Sequence, residues 1–221
     1  MIERGKYVVI EGNDGTGKSI QATRLRSYLS EMGINVAPFK VEEPDGAKAN
    51  DESDLAPAAT ELRKIIKDGS MQRPAWANVV MFMGSRIINW EQVMQPALEK
   101  GLWVVTTRNW LSTVAYQGYG EGMDIPKIER RVLEDMGEQY MKPDLQLILT
   151  LGDHTIRQAR VNNRGPLETL DTFESKPVDF QDRVNHGYID YGTKHAIPIV
   201  DASGTEDEVE LLVRQHVLEL V

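Results

Sequence analysis

The chain has 221 residues, 41% of them hydrophobic and 27% charged, enough for one α/β domain with a sizeable core. A net charge of −9 argues against a long nucleic acid as partner but leaves room for a nucleotide held by a few cations, and the absence of cysteine excludes disulfides, thiolate catalysis and Cys-ligated metals. No apolar run approaches the roughly 18 residues of a membrane span, and residues 1–6 lead into a strand without an apolar leader, so a cytoplasmic protein is expected.

In chain order, Tyr7 to Ile10 is a short apolar run that reads as a buried strand. After a Gly-rich turn, Leu25, Tyr28, Leu29 and Met32 recur at helical spacing up to Gly33. A second strand is expected within Val36 to Val41, then a helix from Asp51 to Asp68 with Leu55, Ala59, Leu62 and Ile66 on one face. Pro74 precedes a long apolar helix that ends near Gly101 and bends or breaks at Pro96. Leu102 to Val105 reads as a strand, and Ile128, Val132, Met136 and Tyr140 mark a helix. Leu145 to Leu151 and Ile197 to Val200 are further strand candidates before a closing helix. Strands alternating with helices imply right-handed crossovers and a parallel sheet covered on both faces, here one domain over residues 1–221. Residues 152–177 break the rhythm: polar and holding Arg157, Arg160 and Arg164, they read as a lid insertion or as an ordinary surface helix and loop.

Gly12-Asn13-Asp14-Gly15-Thr16-Gly17-Lys18-Ser19 fits the phosphate-binding loop pattern, with a strand before it and an amphipathic helix after it. Its glycines let backbone N–H groups turn inward around phosphate oxygens, and the helix N-terminus adds partial positive charge. Lys18 is expected on the β- and γ-phosphates, Ser19 on Mg²⁺, and Ile20 beside the bound ATP. The fold is therefore read as a P-loop NTPase-type sheet flanked by helices. No late Asn-Lys-x-Asp motif marks a GTPase, and the strand before Thr106-Thr107-Arg108 lacks the carboxylate of a motor ATPase. Phe82 and Arg86, four apart on one helix, share a face on which a ring can stack on a base while the cation reaches an oxygen; core Phe and solvated Arg is the plainer reading. Arg108 follows a buried strand, at the edge where parallel sheets bind ligands, and Tyr116-Gln117-Gly118 lies just beyond.

These residues together resemble the thymidylate kinases of the bacterial type. Glu11 to Gln21 matches that family's loop, Glu43-Pro44-Asp45-Gly46 partly matches its Glu-Pro-Gly-Gly turn, Met81-Phe82 to Arg86 approximates its Leu-Phe-x-x-x-Arg helix, and Ser112, Ala115, Tyr116, Gln117 and Gly118 keep its next signature. The stretch from Phe180 through Arg183 and Val184 to Tyr188 resembles its last lid-to-core helix. The resemblance implies transfer of the γ-phosphoryl of ATP to dTMP with Mg²⁺, by a homodimer in which the helix around Val79 to Val93 could be interface or core. It implies that Phe82 stacks on thymine, that Arg86 and Gln117 bond the base with Thr113 nearby, and that Pro44 forms a wall. Asp14 or Glu43 would contact the sugar hydroxyl or the Mg²⁺ shell, Arg63 would lie near the acceptor, and Tyr116 would crowd C2′. Arg108 would bridge the acceptor phosphate and the transferred group, and the lid would supply the catalytic arginine: Arg164 first, Arg160 second. Thr107 for Asp, Asn109-Trp110 for Tyr and its neighbour, Glu42 for Arg and Asp45 for Gly depart from the family pattern. For the missing carboxylate at 107, Asp14, Glu11 and Glu43 are the expected substitutes. The rival readings are a kinase for another pyrimidine deoxynucleotide, such as dUMP or a base-modified dUMP, and a catalytically silent nucleotide-binding protein.

Overall fold

The structure, a computed structural model, describes residues 3–162, 172–173 and 176–221, with His154 and Asn162 as backbone only. Strands β1 (Tyr7–Gly12), β2 (Phe39–Glu42), β3 (Lys48–Ala49), β4 (Val104–Thr107), β5 (Leu145–Thr150) and β6 (Ile199–Asp201) form one sheet in the order β3-β2-β4-β1-β5-β6. Every pairing is parallel except that of β2 with β3, an antiparallel edge that the sequence did not disclose. The helices are α1 (Lys18–Glu31), α2 (Pro57–Lys67), α3 (Ala75–Asn89), α4 (Gln95–Glu99), α5 (Trp110–Thr113), α6 (Ile125–Met141), α7 (His154–Asn162), α8 (Val178–Lys194) and α9 (Glu206–Val217).

β1 shows why the sheet needs cover on both faces. All of its residues are buried, and they alternate between two cores. Tyr7 and Val9 face a core built with α2, α3, α6 and α8, through side chains such as Ile66, Met83, Val132 and Val184. Val8 and Ile10 face a second core with Leu25 and Leu29 of α1 and Val209 and Val213 of α9. β4 and β5 flank β1, so the loop leaving Gly12 emerges at the centre of the sheet's carboxyl edge.

Some boundaries differ from the sequence reading. The helix expected from Asp51 begins at Pro57, a favoured first helical residue, while Asp51 and Asp54 accept the backbone N–H groups of Ser53 and Ala56 and hold the preceding segment in turns. The second strand begins at Phe39, after Pro38, which has no N–H for a ladder; Val36 makes only a lone bridge to Trp103. The long apolar helix does not break at Pro96 but widens before it, into a π-helical turn at Trp90–Met94. That widening removes the clash a proline ring makes with the carbonyl four residues earlier. In α3, Val79, Phe82 and Met83 belong to the core, while Val80 is 55% exposed. Among the described residues no helix is long and apolar enough to cross a membrane.

Candidate active site

Gly12, Gly15 and Gly17 all take positive φ, of 140°, 87° and 86°. Two of them are also crowded: a Cβ on Gly12 would lie 2.3 Å from the Leu149 carbonyl oxygen, and one on Gly15 would lie 3.2 Å from Cγ of Arg157. No larger residue could trace this loop without strain. Asn13 and Thr16 are buried inside it: Asn13 donates to the Gln181 carbonyl, and Thr16 donates to the Asn13 carbonyl at 2.8 Å. Lys18 opens α1 and is 8% exposed; its Nζ donates to the Asn13 carbonyl at 2.8 Å and lies 4.0 Å from Asp14 Oδ1.

A cavity of about 210 Å³ begins at this loop and runs inward. Its outer part is lined by Asp14, Gly17, Lys18, Ser19, Ile20 and Glu42, and its inner part by Pro44, Phe82, Arg86, Thr113, Tyr116 and Gln117. Arg108, Arg63 and Glu43 also face it. The structure thus brings the expected cradle and the expected acceptor residues to one space.

Three polar side chains of α3 fix the turn after β2. Ser85 donates to the Pro44 carbonyl, and Asn89 donates to the Asp45 carbonyl and accepts from the Ala47 N–H, both at 2.9 Å. Arg86, 1% exposed, donates to Glu43 at 3.2 Å and to Thr113 at 2.7 Å. Tyr140 of α6 donates to the same Glu43 oxygen at 2.5 Å. Burial pushes the Glu43 carboxyl up to about 7, against the opposing pull of Arg86 and Tyr140. Glu43 therefore holds Arg86 in place. The carboxylate that accepts from the Ser19 hydroxyl is that of Glu42, at 3.1 Å, while Glu43 is turned to Arg86 and Tyr140.

Arg108 has a left-handed backbone (φ 64°) just beyond β4. A non-glycine residue in that region is strained, and such strain concentrates where a side chain must be aimed. Its guanidinium is ion-paired with Asp14, lies 5.2 Å from the Tyr116 ring centre and donates to Ser112 and Tyr188. Tyr116 in turn reaches Asp14 at 2.9 Å and Asn13 at 3.0 Å through its hydroxyl. Burial raises the Tyr116 phenol, so it stays a neutral donor. Tyr116 and Gln117 project from a π-helical turn, Val114–Gly120, a widening often found at functional sites. Gln117 is 1% exposed, and neither atom of its amide has a protein partner among the described residues. Arg63 lines the cavity but is paired with Asp45 at 2.9 Å.

The lid arginines part ways. Arg164 lies outside the described residues. Arg160 donates to the carbonyls of Ala202 and Gly204, at 2.8 and 3.1 Å, and so ties α7 to the loop after β6 rather than facing the cavity. Arg157 is 8% exposed and packs on the loop at Gly15.

The thymidylate kinase family model matches residues 10–213. The chain is 31% identical to a thymidylate kinase of Dichelobacter nodosus over 218 residues, 99% of either chain. It is also 31% identical to one of Caldicellulosiruptor saccharolyticus, covering 99% of this chain and 98% of the relative. The chain belongs to the thymidylate kinase family.

Within that family this member carries several cavity residues that its sequence did not single out. Glu42 and Asp45 appeared only as departures and Ser112 only as a kept signature residue, yet all three line the cavity, as does Phe173. Phe173 packs 5.5 Å from Phe82 and 6.0 Å from Tyr116, ring centre to ring centre. It is the lone Phe, Tyr or Trp between residues 152 and 177, which is the signal that could have marked it.

Proposed function

We propose that the protein transfers the γ-phosphoryl group of ATP to dTMP, giving ADP and dTDP. One observation carries this reading: a single cavity is lined both by the phosphate-binding loop and by Phe82, Arg86 and Gln117, whose amide has no partner among the described residues. A phosphate donor and a pyrimidine monophosphate can meet there end to end. Family membership over residues 10–213, and relatives named thymidylate kinase, support the same substrates.

Residue roles follow from chemistry. The acceptor phosphate is already anionic and nucleophilic, so no strong base is required, and the work is positioning and charge cancellation. Lys18 meets the donor phosphates. Arg108, held by Asp14, Ser112 and Tyr188, bridges acceptor phosphate and transferred group. Arg164, from the segment outside the described residues, remains the proposed lid arginine. Phe82 stacks on the base, Arg86 and Gln117 bond its edge beside Thr113, and Pro44 closes a wall. The Ser19 hydroxyl is a hard oxygen donor beside the phosphate loop, which suits Mg²⁺. When bound, Mg²⁺ supplies neutralising charge at the β- and γ-phosphates.

We further propose a cytoplasmic homodimer that uses the outward side of α3, where Val80 is exposed, and that binds neither nucleic acid nor membrane. An ADP-release assay across a panel of nucleoside monophosphates tests the activity. The highest kcat/KM is expected with dTMP; a higher value with dUMP, or no turnover with any monophosphate, would overturn the assignment.

A further inference from the structure

Several carboxylates converge on the carboxyl edge of the sheet, and all but one are committed to neighbours. Glu11 is fully buried and accepts from the Asn109 and Ser112 N–H groups, at 2.7 and 3.2 Å, and from the Ser112 and Tyr188 hydroxyls. Asp14 is paired with Arg108 and bonded by Tyr116. Glu43 is held by Arg86 and Tyr140, and Asp45 by Arg63. Glu42 has no cationic partner among the described residues, and its hydrogen bond comes from the Ser19 hydroxyl at 3.1 Å. It lines the cavity with Lys18 and Ser19, and in the parallel register of β2 with β4 it stands directly opposite Thr107.

An unpaired carboxylate against the loop that receives phosphates repels the donor unless a cation lies between the two anions. Mg²⁺ sites in such loops take one or two carboxylates together with phosphate oxygens and a hydroxyl. Thr107 offers no charge, and Glu42, one strand over on the same edge, does. We infer that Glu42 is the carboxylate arm of the divalent-cation shell, acting beside Ser19. This rests on the phosphoryl-transfer reading above. It replaces Asp14, Glu11 and Glu43, the substitutes expected from sequence, because each of those is held elsewhere.

The test uses Mn²⁺ as the probe, with free Mn²⁺ read by electron paramagnetic resonance during titration of the full chain with ADP present. Glu42→Gln is expected to weaken Mn²⁺ binding to the ADP complex by about tenfold. ADP binding measured in EDTA should be unchanged or tighter, which also verifies that the variant is folded. Glu42→Asp, which keeps the charge, should retain more Mn²⁺ affinity than Glu42→Gln. A loss under about fivefold in Glu42→Gln, or an equal loss in both variants, overturns the inference. Failure of the wild type to bind ADP at all would instead overturn the nucleotide reading on which it rests.

Discussion

Arg86 of α3 and Glu43 at the end of β2 form an ion pair at 3.2 Å with side chains 1% and 0% exposed. A buried pair of this kind adds little net stability by itself, but it sets where its members point. Here it aims a guanidinium at the inner end of the cavity, and Tyr140 closes the other side of the carboxylate.

The first prediction follows from the raised Glu43 carboxyl. Its ordinary value is 4.5, and in the folded chain it is pushed up to about 7, chiefly by burial. Between those values the folded state binds more protons than the unfolded state, so this group's contribution to stability falls as pH rises through the window. Glu43→Gln removes that dependence. The Tm of Glu43→Gln minus that of wild type should therefore increase from pH 5 to pH 8; a difference flat with pH contradicts the assignment.

Lys18→Ala should abolish turnover while sparing the fold. Lys18 lies over the loop, bonded to the Asn13 carbonyl, and belongs to neither hydrophobic core. Stopped-assay kcat should fall by more than about tenfold, or ~1.4 kcal/mol, with Tm nearly unchanged. Retention of more than about a tenth of wild-type kcat removes Lys18 from the mechanism.

Tyr116 does two separable things. Its hydroxyl braces Asp14 beside Arg108, and its ring occupies the cavity wall. Tyr116→Phe should lower kcat yet keep the preference for dTMP over the ribonucleotide carrying a 2′-hydroxyl. Tyr116→Ala should narrow that preference. Equal kcat/KM for the two acceptors in the wild type would show that the ring does not guard C2′.

Phe173→Ala should raise the KM for dTMP by about tenfold, the order of one lost aromatic contact in an apolar pocket. The KM for ATP should move little, because Phe173 contacts Phe82 and Tyr116 at the inner end. A selective rise in the ATP KM would assign Phe173 to the donor side.

Much of this was legible in the sequence because the information was local. The loop from Gly12 to Ser19 is one contiguous motif whose spacing states its conformation, and the β1 run states its burial on both faces. Alternation and handedness state that the sheet is parallel, but its strand order, with β4 between β2 and β1, is seen only in the structure. What was not legible depends on partners distant in the chain. The contacts of Glu43 with Arg86 and Tyr140, 43 and 97 residues away, could not be read from the sequence. Glu42 and Thr107 are 65 residues apart, and only the β2–β4 register sets them opposite one another. Arg160 has the composition of a lid cation, but its guanidinium ends on backbone carbonyls beyond β6. The start of α2 was misplaced because the Asp51 and Asp54 side chains take the backbone N–H groups of Ser53 and Ala56.

The placement of β1 also determines how the molecule breathes. Val8, Val9 and Ile10 are laddered to strands on both sides and sealed by a core on each face. Amide protons in such a strand exchange with solvent only when the whole chain opens, whereas the two-residue rung of β3 frays on its own. The loop from Gly12 to Ser19 therefore hangs from a strand held on both sides and sealed on both faces. The turn that carries Glu42 and Glu43 runs toward the faster-opening edge. What holds that turn in shape is therefore α3 rather than the sheet, through Ser85, Arg86 and Asn89.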